Sequence, residues 1–146
     1  MKTVLFACIH NAGRSQMAAA FFNQLADSTK ARAVSAGTAP DSRVHPEVVS
    51  AMNEVDIDLS AAPTTKLTPD LSATVTMLVT MGCGDECPYV PGVTRDDWPL
   101  EDPKSKPIET VRAIRDDIKR RVETLIDSED WRWESEAAAC DRPRPT

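Results

Sequence analysis

The sequence predicts an α/β fold in which a parallel β-sheet is covered by helices on both faces. Apolar segments that fit buried strands alternate along the chain with segments of helical spacing. Such alternation is typical of a parallel sheet joined by right-handed crossovers. The first apolar segment, residues 2–8, is nearly continuous, which indicates a strand buried on both of its faces.

The first half of the chain is predicted to form strand, helix, strand and helix in turn. After the strand at 2–8, Met17, Phe21 and Leu25 recur every four residues, which predicts a helix from residue 14 to about residue 26. Residues 31–36 form the second predicted strand. Residues 45–55 form the second predicted helix, because apolar residues recur there at helical spacing behind a proline that suits a first turn.

The second half contributes one clear strand and one long helix. Residues 75–80 are the clearest later strand, and Ile114, Ile118 and Val122 belong to an amphipathic pattern that predicts a helix over 107–127. Residues 62–67 form a short element at most. We expect a single catalytic domain over residues 1–130, followed at 131–146 by a C-terminal appendage that lacks clear periodicity.

Composition excludes several classes of protein. The 146 residues carry a net charge of −6 and no basic stripe, which argues against a nucleic-acid partner. No apolar run is long enough to cross a bilayer, and the start of the chain lacks the small-residue cleavage site of a signal peptide. We therefore expect a cytoplasmic protein with no membrane partner, in which three of the four cysteines serve chemistry rather than structural disulfides.

A strand, a short loop and a helix begin the chain and predict an oxyanion-binding loop. This arrangement points backbone N–H groups at one spot, where they bind a tetrahedral anion and favour the thiolate form of a cysteine at the loop's start. The bland alternative is a buried structural cysteine followed by a surface arginine. The predicted loop consists of Cys8, Ile9, His10, Asn11, Ala12, Gly13, Arg14 and Ser15.

Side chains within this loop have the chemistry that the site requires. Arg14 offers a fork of donors that matches two anion oxygens, and Ser15 can donate a hydrogen bond that keeps the Cys8 sulfur ionised. Asn11 and Gly13 can take the left-handed backbone conformation that a cradle requires. These features together predict a cysteine nucleophile beneath a bound phosphate-like anion.

Two further cysteines, Cys83 and Cys87, follow the strand predicted at 75–80. Because ligands bind beyond the carboxyl ends of parallel strands, this segment and Cys8 are expected at the same rim. In a helix the Cβ atoms of the two cysteines would be about 5–6 Å apart, whereas a disulfide needs roughly 3.5–4.5 Å. The neighbouring residues Gly82, Gly84 and Pro88 favour a loop that can unwind to bring the thiols together.

Other interpretations of the cysteines remain open. The pair could be two inert thiols, or a zinc site with His10 and His45, although no second ligand pair has the usual spacing. Cys140 is expected to be an incidental free thiol, with an auxiliary redox role as the alternative. We expect His10 to point away from the loop and His45 to start a helix.

Departure of an oxide or hydroxide from the anion requires a proton, which a carboxylic acid on a nearby loop can supply. The segment between the thiol loop and the last helix offers Asp96, Asp97, Glu101 and Asp102 as candidates. Any of these could instead be a solvated loop carboxylate.

Several segments resemble arsenate reductases built on the low-molecular-weight protein tyrosine phosphatase fold. The similar segments are Cys8–Ala18, Ser35–Thr38, His45–Pro46, 57–67, Thr80–Cys83 and Trp98–Pro103, and the resemblance covers roughly residues 2–127. It implies a three-layer fold with a four-stranded parallel sheet flanked by helices. It further implies that Cys8 is the nucleophile, that Asn11, Arg14 and Ser15 shape and charge the loop, and that Asp102 is the acid.

The resemblance also implies a relay of thiols for the reduction of arsenate. Cys8 would attack arsenate, Cys83 would resolve the adduct, and Cys87 would take the disulfide to the surface for reduction by a dithiol such as thioredoxin. A low-molecular-weight thiol such as mycothiol or glutathione is the alternative reductant. Phosphate and sulfate would act as mimics of the substrate.

Two departures from family patterns refine this prediction. Lys104 and Ser105 stand where phosphatases of this fold carry aromatic residues, which favours a small inorganic anion over an aryl phosphate. Some related reductases bind potassium through an acidic residue where this chain has Ala19, so no metal and no cofactor are predicted. We thus predict a cytoplasmic arsenate reductase; the alternatives are a protein tyrosine phosphatase and a non-enzymatic oxyanion-binding redox sensor.

Overall fold

The structure, a computed structural model, describes residues 2–81 and 93–132 of the chain. Strands and helices alternate over most of this length, as the sequence predicts. The elements are β1 (Lys2–Cys8), α1 (Arg14–Leu25), β2 (Ala31–Gly37), α2 (Pro46–Asn53), α3 (Pro69–Ala73), β3 (Met77–Thr80), β4 (Thr94–Asp97) and α4 (Ile108–Ser128).

The four strands form one parallel sheet in the order β2-β1-β3-β4. Cys8 at the end of β1 lies beside Gly37 at the end of β2, and Ala7 lies beside Thr80 at the end of β3. All the carboxyl ends therefore meet at one edge of the sheet. This arrangement confirms the predicted four-stranded parallel sheet and places Cys8 at its centre.

Alternate residues of the central strands bury two separate cores, one on each face of the sheet. Phe6 and Val79 face the larger core, which α1, α2 and α4 cover. Leu5 and Leu78 face the smaller core, where Leu71 of α3 packs. The sheet is thus the middle of three layers. No helix in the described part of the chain is long and apolar enough to span a membrane.

Two elements escape prediction by hydrophobic periodicity. All four residues of β4 are exposed and polar, because β4 is an edge strand and carries no apolar pattern. The helix α3 has only five residues, and its start depends on the Thr68 side chain, which accepts a hydrogen bond from the Leu71 N–H. Its brevity leaves no room for a repeated apolar spacing.

Trp131 packs against the domain although it follows the predicted boundary at residue 130. Its ring contacts Phe22 of α1 edge-on at 5.6 Å between centroids, and its carbonyl accepts a hydrogen bond from the Asp27 N–H. Residues 133–146 lie outside the described residues. The division into a domain and an appendage accordingly stays a prediction.

Ion pairs connect two arginines of α4 to Glu54, which follows the last residue of α2. Glu54 accepts hydrogen bonds from Arg112 and Arg115, and Arg115 also donates to the Ala51 carbonyl at 2.8 Å. The hydrogen bond from Arg112, and then that from Arg115, lowers the pKa of Glu54 to about 2. The folded state therefore favours the Glu54 carboxylate.

Replacing this carboxylate should change the pH dependence of stability. Because the folded-state pKa lies below the ordinary value of 4.5, the stabilisation is present above pH 4.5 and is lost as pH falls towards about 2. We expect Glu54→Gln to lower the Tm at neutral pH, with a difference from the wild type that shrinks over this acidic range. Thermal unfolding across pH measures it, and Glu129→Gln at the exposed end of α4 is the control. A difference that is independent of pH would contradict this assignment.

Candidate active site

The anion-binding loop between β1 and α1 has every carbonyl from residue 8 to residue 13 engaged by a hydrogen-bond donor. Five of these donors are backbone N–H groups and one is a side chain. The pairs are Cys8 with Thr38 (3.1 Å), Ile9 with Ala39 (2.8 Å), His10 with Asp41 (2.9 Å), Asn11 with Gln16 Nε2 (3.1 Å), Ala12 with His45 (2.9 Å) and Gly13 with Met17 (3.0 Å).

These bonds determine the direction of the N–H groups in the loop. In a trans peptide the N–H points opposite to the C=O, so the N–H groups of residues 9–14 turn away from these donors. The Asn11 N–H reaches Cys8 Sγ at 3.3 Å, which places the sulfur on that inner side. The first turn of α1 points at the same space, and no described side chain caps it. The result is a cradle of N–H donors over Cys8.

Asn11 takes the conformation that the sequence predicts, whereas Gly13 does not. The φ of Asn11 is 49°, in the left-handed region. The φ of Gly13 is −149°, so the prediction that Gly13 also adopts a left-handed conformation is wrong. Gly13 is instead needed for close packing, since a Cβ there would lie 2.9 Å from Pro103 Cγ. A side chain at residue 13 would therefore push away the segment that carries Asp102.

Gly37 permits a similarly close approach on the other side of the loop. A Cβ on Gly37 would lie 2.5 Å from the Ile9 carbonyl oxygen and 2.8 Å from the Asn11 nitrogen. Because residue 37 has no side chain, the end of β2 can lie directly against residues 9–11 of the loop. The residue type alone does not reveal this role, because the atoms that Gly37 approaches lie about thirty positions earlier in the chain.

Cys8 is buried, and hydrogen-bonding groups surround its sulfur. Its Sγ lies 2.9 Å from Ser15 Oγ. Asn11 Oδ1 must accept the N–H of Thr65, so Asn11 Nδ2 donates to Ser15 Oγ. The Ser15 hydroxyl proton is then free to point at the sulfur. Together with the Asn11 N–H, this gives two donors aimed at Sγ.

Arg14 is the first residue of α1, and its side chain is held by the segment that precedes α4. Its side chain is 6% exposed, its Nη1 donates to the Leu100 carbonyl at 3.0 Å, and its Nη2 lies 3.7 Å from Asp102 Oδ2. The sequence does not reveal Leu100 as a partner of Arg14, because Leu100 contributes only its backbone carbonyl. These contacts hold the guanidinium beside residues 100–102.

Asp102 is the one candidate acid that the structure places beside Arg14. Asp96 accepts from the Trp98 indole N–H at 3.0 Å, Asp97 accepts from the Thr80 hydroxyl at 2.7 Å, and Glu101 pairs with Lys106. Asp102 also accepts the Lys104 N–H at 3.0 Å, which orients its carboxylate. The geometry thus favours Asp102 over its three rivals.

His10 and His45 both lie near the carboxylate of Asp41. His45 Nε2 lies 2.7 Å from Asp41 Oδ2, and His10 Nδ1 lies 3.9 Å from Asp41 Oδ1. The hydrogen bond from His45 lowers the pKa of Asp41. His45 also precedes the first residue of α2, as expected. Within the described residues, no three His, Cys, Asp or Glu side chains converge on a possible metal position.

The predicted resolving cysteines, Cys83 and Cys87, fall outside the described residues, and so does Cys140. The structure does place the strand that leads to them. Met81 is buried, and its N–H donates to the Ala7 carbonyl at 2.8 Å, one residue before Cys8. The chain therefore reaches residue 81 directly beside the strand that carries the nucleophile.

The site combines a buried cysteine beside inward N–H groups, an arginine that follows them in the loop and a carboxylate near that arginine. On the edge of a parallel sheet, this combination is typical of an oxyanion site with a candidate thiol nucleophile. Residues 3–132 match the family model of low molecular weight phosphotyrosine protein phosphatases, and the chain belongs to that family.

Known proteins of this family resemble the chain over most of its length. A Halobacterium salinarum protein, provisionally named an arsenate reductase, is 39% identical and aligns with 84% of this chain and 89% of its own. The glutaredoxin arsenate reductase of Synechocystis is 36% identical, with 86% and 97% covered. The solved thioredoxin-dependent arsenate reductase of Corynebacterium glutamicum is 37% identical with a TM-score of 0.76; the match covers 89% of this chain but 62% of that one.

Proposed function

We propose that this protein is an arsenate reductase that converts arsenate to arsenite with Cys8 as its nucleophile. The observation that carries the proposal is the cradle itself. Cys8 Sγ accepts hydrogen bonds from Ser15 and Asn11 at the centre of a ring of inward N–H groups. Three related proteins over 35% identical are named as arsenate reductases, which supports arsenic over phosphorus as the atom attacked.

The first step is attack of the Cys8 thiolate on arsenic. A sulfur–arsenic bond forms, and a hydroxide leaves as water once a proton has been supplied. Arg14 and the N–H cradle stabilise the charge on the remaining oxygens, and Asp102 supplies the proton from its place beside Arg14. Arsenic stays in its +5 state in this adduct.

Reduction follows in the second step, through Cys83. Its thiolate attacks Cys8 Sγ, and a disulfide forms as the sulfur–arsenic bond breaks. The electron pair of that bond stays on arsenic, which leaves as arsenite in its +3 state. The thiolate of Cys87 then attacks Cys83, which frees Cys8 and leaves a Cys83–Cys87 disulfide.

An external thiol reductant closes the cycle. The relatives differ in this respect, since one is named as thioredoxin-dependent and another as a glutaredoxin enzyme. We propose a cytoplasmic thioredoxin as the donor for the Cys83–Cys87 disulfide, with a glutathione or mycothiol system as the competing possibility. Arsenite production with each system in parallel identifies the donor.

Substrate size separates this proposal from a phosphatase that acts on tyrosine phosphate. Lys104 and Ser105, which follow the Asp102–Pro103 pair, are exposed and offer no aromatic surface for a phenol ring. Small tetrahedral anions fit the cradle without such a surface. Phosphate and sulfate should accordingly compete with arsenate.

Replacing Cys83 tests the reductase proposal against the phosphatase alternative. We expect Cys83→Ser to lower arsenate turnover to background, because Cys83 is the thiol that breaks the sulfur–arsenic bond in the proposed relay. Hydrolysis of p-nitrophenyl phosphate should persist, because water can resolve a phosphocysteine. Cys140→Ser is the matched control and should keep both activities. Full arsenate turnover by Cys83→Ser would refute the relay, and the absence of turnover by the wild type with any reductant would favour a binding protein.

A further inference from the structure

Gln16 is a buried polar residue that the proposed chemistry does not use. It lies in the first turn of α1, and its residue surface is 6% exposed. Its Nε2 donates to the Pro63 carbonyl at 2.8 Å, to the Asn11 carbonyl at 3.1 Å and towards Asn11 Oδ1 at 3.3 Å. Three oxygens thus converge on a single amide nitrogen.

This contact differs in kind from the other five that hold the loop. The carbonyls of residues 8, 9, 10, 12 and 13 all accept from backbone N–H groups, which no substitution short of proline removes. The Asn11 carbonyl instead depends on the Gln16 side chain. The Asn11–Ala12 peptide is therefore the place where one side chain sets the direction of a cradle N–H.

The backbone conformation at Asn11 also depends on the contacts around it. Asn11 has a φ of 49°, a region that non-glycine residues seldom occupy. Rotation of the Asn11–Ala12 peptide would turn the Ala12 N–H outwards and bring the Asn11 carbonyl into the cradle. A carbonyl oxygen facing a bound oxyanion would repel it.

We infer that Gln16 is a positioning residue that keeps the Ala12 N–H aimed at the bound oxyanion by holding the Asn11 carbonyl outside the cradle. Gln16 acts through Asn11, and its Pro63 contact fixes the amide group from the other side. The inference rests on the proposed function only in that Cys8 lies under an oxyanion. It is independent of the thiol relay.

The test is the affinity of the reduced protein for inorganic phosphate, measured by calorimetry in Gln16→Met. This variant keeps the volume and loses the donor. We expect roughly tenfold weaker binding, since a charge-assisted donor is misdirected and a buried acceptor is left unpaired. In NMR titrations, the Ala12 amide proton of the wild type should move downfield with phosphate, whereas that of the variant should not.

Asn23 supplies a matched control on the same helix. Its side chain also makes two hydrogen bonds to backbone, to the N–H and carbonyl of Ala33, and has no contact with the loop. Asn23→Leu should lose stability but bind phosphate within twofold of the wild type. If Gln16→Met does not fold, Gln16→Glu keeps the shape without the donor and should bind phosphate at least as weakly, with Asn23→Asp as its charge control.

Two results would overturn the inference. One is a folded Gln16 variant that binds phosphate within twofold of the wild type with an unchanged response of the Ala12 amide. The other is an equal loss of affinity in the Asn23 control, which would assign the effect to general destabilisation. Because neither measurement involves arsenate reduction, failure of the relay through Cys83 would leave this result standing.

Discussion

Cys8→Ser is expected to lower arsenate reduction by at least about 10⁴-fold, because the hydroxyl is neither ionised nor able to form the disulfide that reduces arsenic. The six carbonyl contacts that hold the N–H cradle come from residues 38–45, Gln16 and Met17, and none of them involves the sulfur. Phosphate binding should therefore survive in the variant. Steady-state arsenite production and phosphate calorimetry measure the two effects.

The control for this substitution is Cys140→Ser, which removes a thiol that we predict has no part in the reaction. It should retain the activity of the wild type. Residual reduction by Cys8→Ser above background would show that another thiol attacks arsenate. Loss of phosphate binding together with activity would show that the loop itself depends on the sulfur.

Arg14→Lys is expected to lower kcat/KM for arsenate by about 10²–10³-fold although the positive charge is kept. A lysine cannot match two anion oxygens and the Leu100 carbonyl at once, whereas the planar guanidinium does so with its fork of donors. The transition state concentrates charge on those oxygens, so the loss should appear in kcat as well as in KM.

Arg112→Lys is the matched control for the arginine substitution. Arg112 lies on α4 and pairs with Glu54 at the surface, away from the cradle. This variant should keep the activity of the wild type. An Arg14→Lys enzyme within a few-fold of the wild type would contradict the geometric role of Arg14 and reduce its contribution to charge alone.

Much of the site was predictable because it is local in sequence. The candidate residues Cys8, Asn11, Arg14 and Ser15 lie within one loop. The chemistry of each side chain indicates its expected role at an oxyanion site. The position of the loop follows from the apolar run of β1 and the helical spacing after it. The sequence also predicts that β1 and β3 end at the same edge of the sheet, because parallel strands all have their carboxyl ends on one side.

Contacts made by backbone groups could not be predicted. The Leu100 carbonyl that holds Arg14, and the N–H groups of residues 38–45 that hold the loop, have no signature in residue type. Gly13 was assigned the wrong property because glycine serves both unusual torsions and close packing. Gly13 and Pro103 lie close together although ninety positions separate them along the chain.

The choice among the four candidate acids also depends on tertiary contacts that the sequence does not reveal. The sequence offers four carboxylates between residues 96 and 102, in a segment with no repeated apolar spacing. Three are engaged by Trp98, Thr80 and Lys106, which leaves Asp102 beside Arg14. Only the tertiary arrangement separates them, because β4 has no apolar pattern from which its register could be predicted.

A single turnover of the fully reduced wild-type protein with arsenate, in the absence of any other reductant, tests the central claim most directly. We expect one arsenite released per chain and two thiols lost, with a disulfide between Cys83 and Cys87 found by peptide mapping. Arsenite formed without loss of thiols, or a disulfide that excludes Cys83, would contradict it.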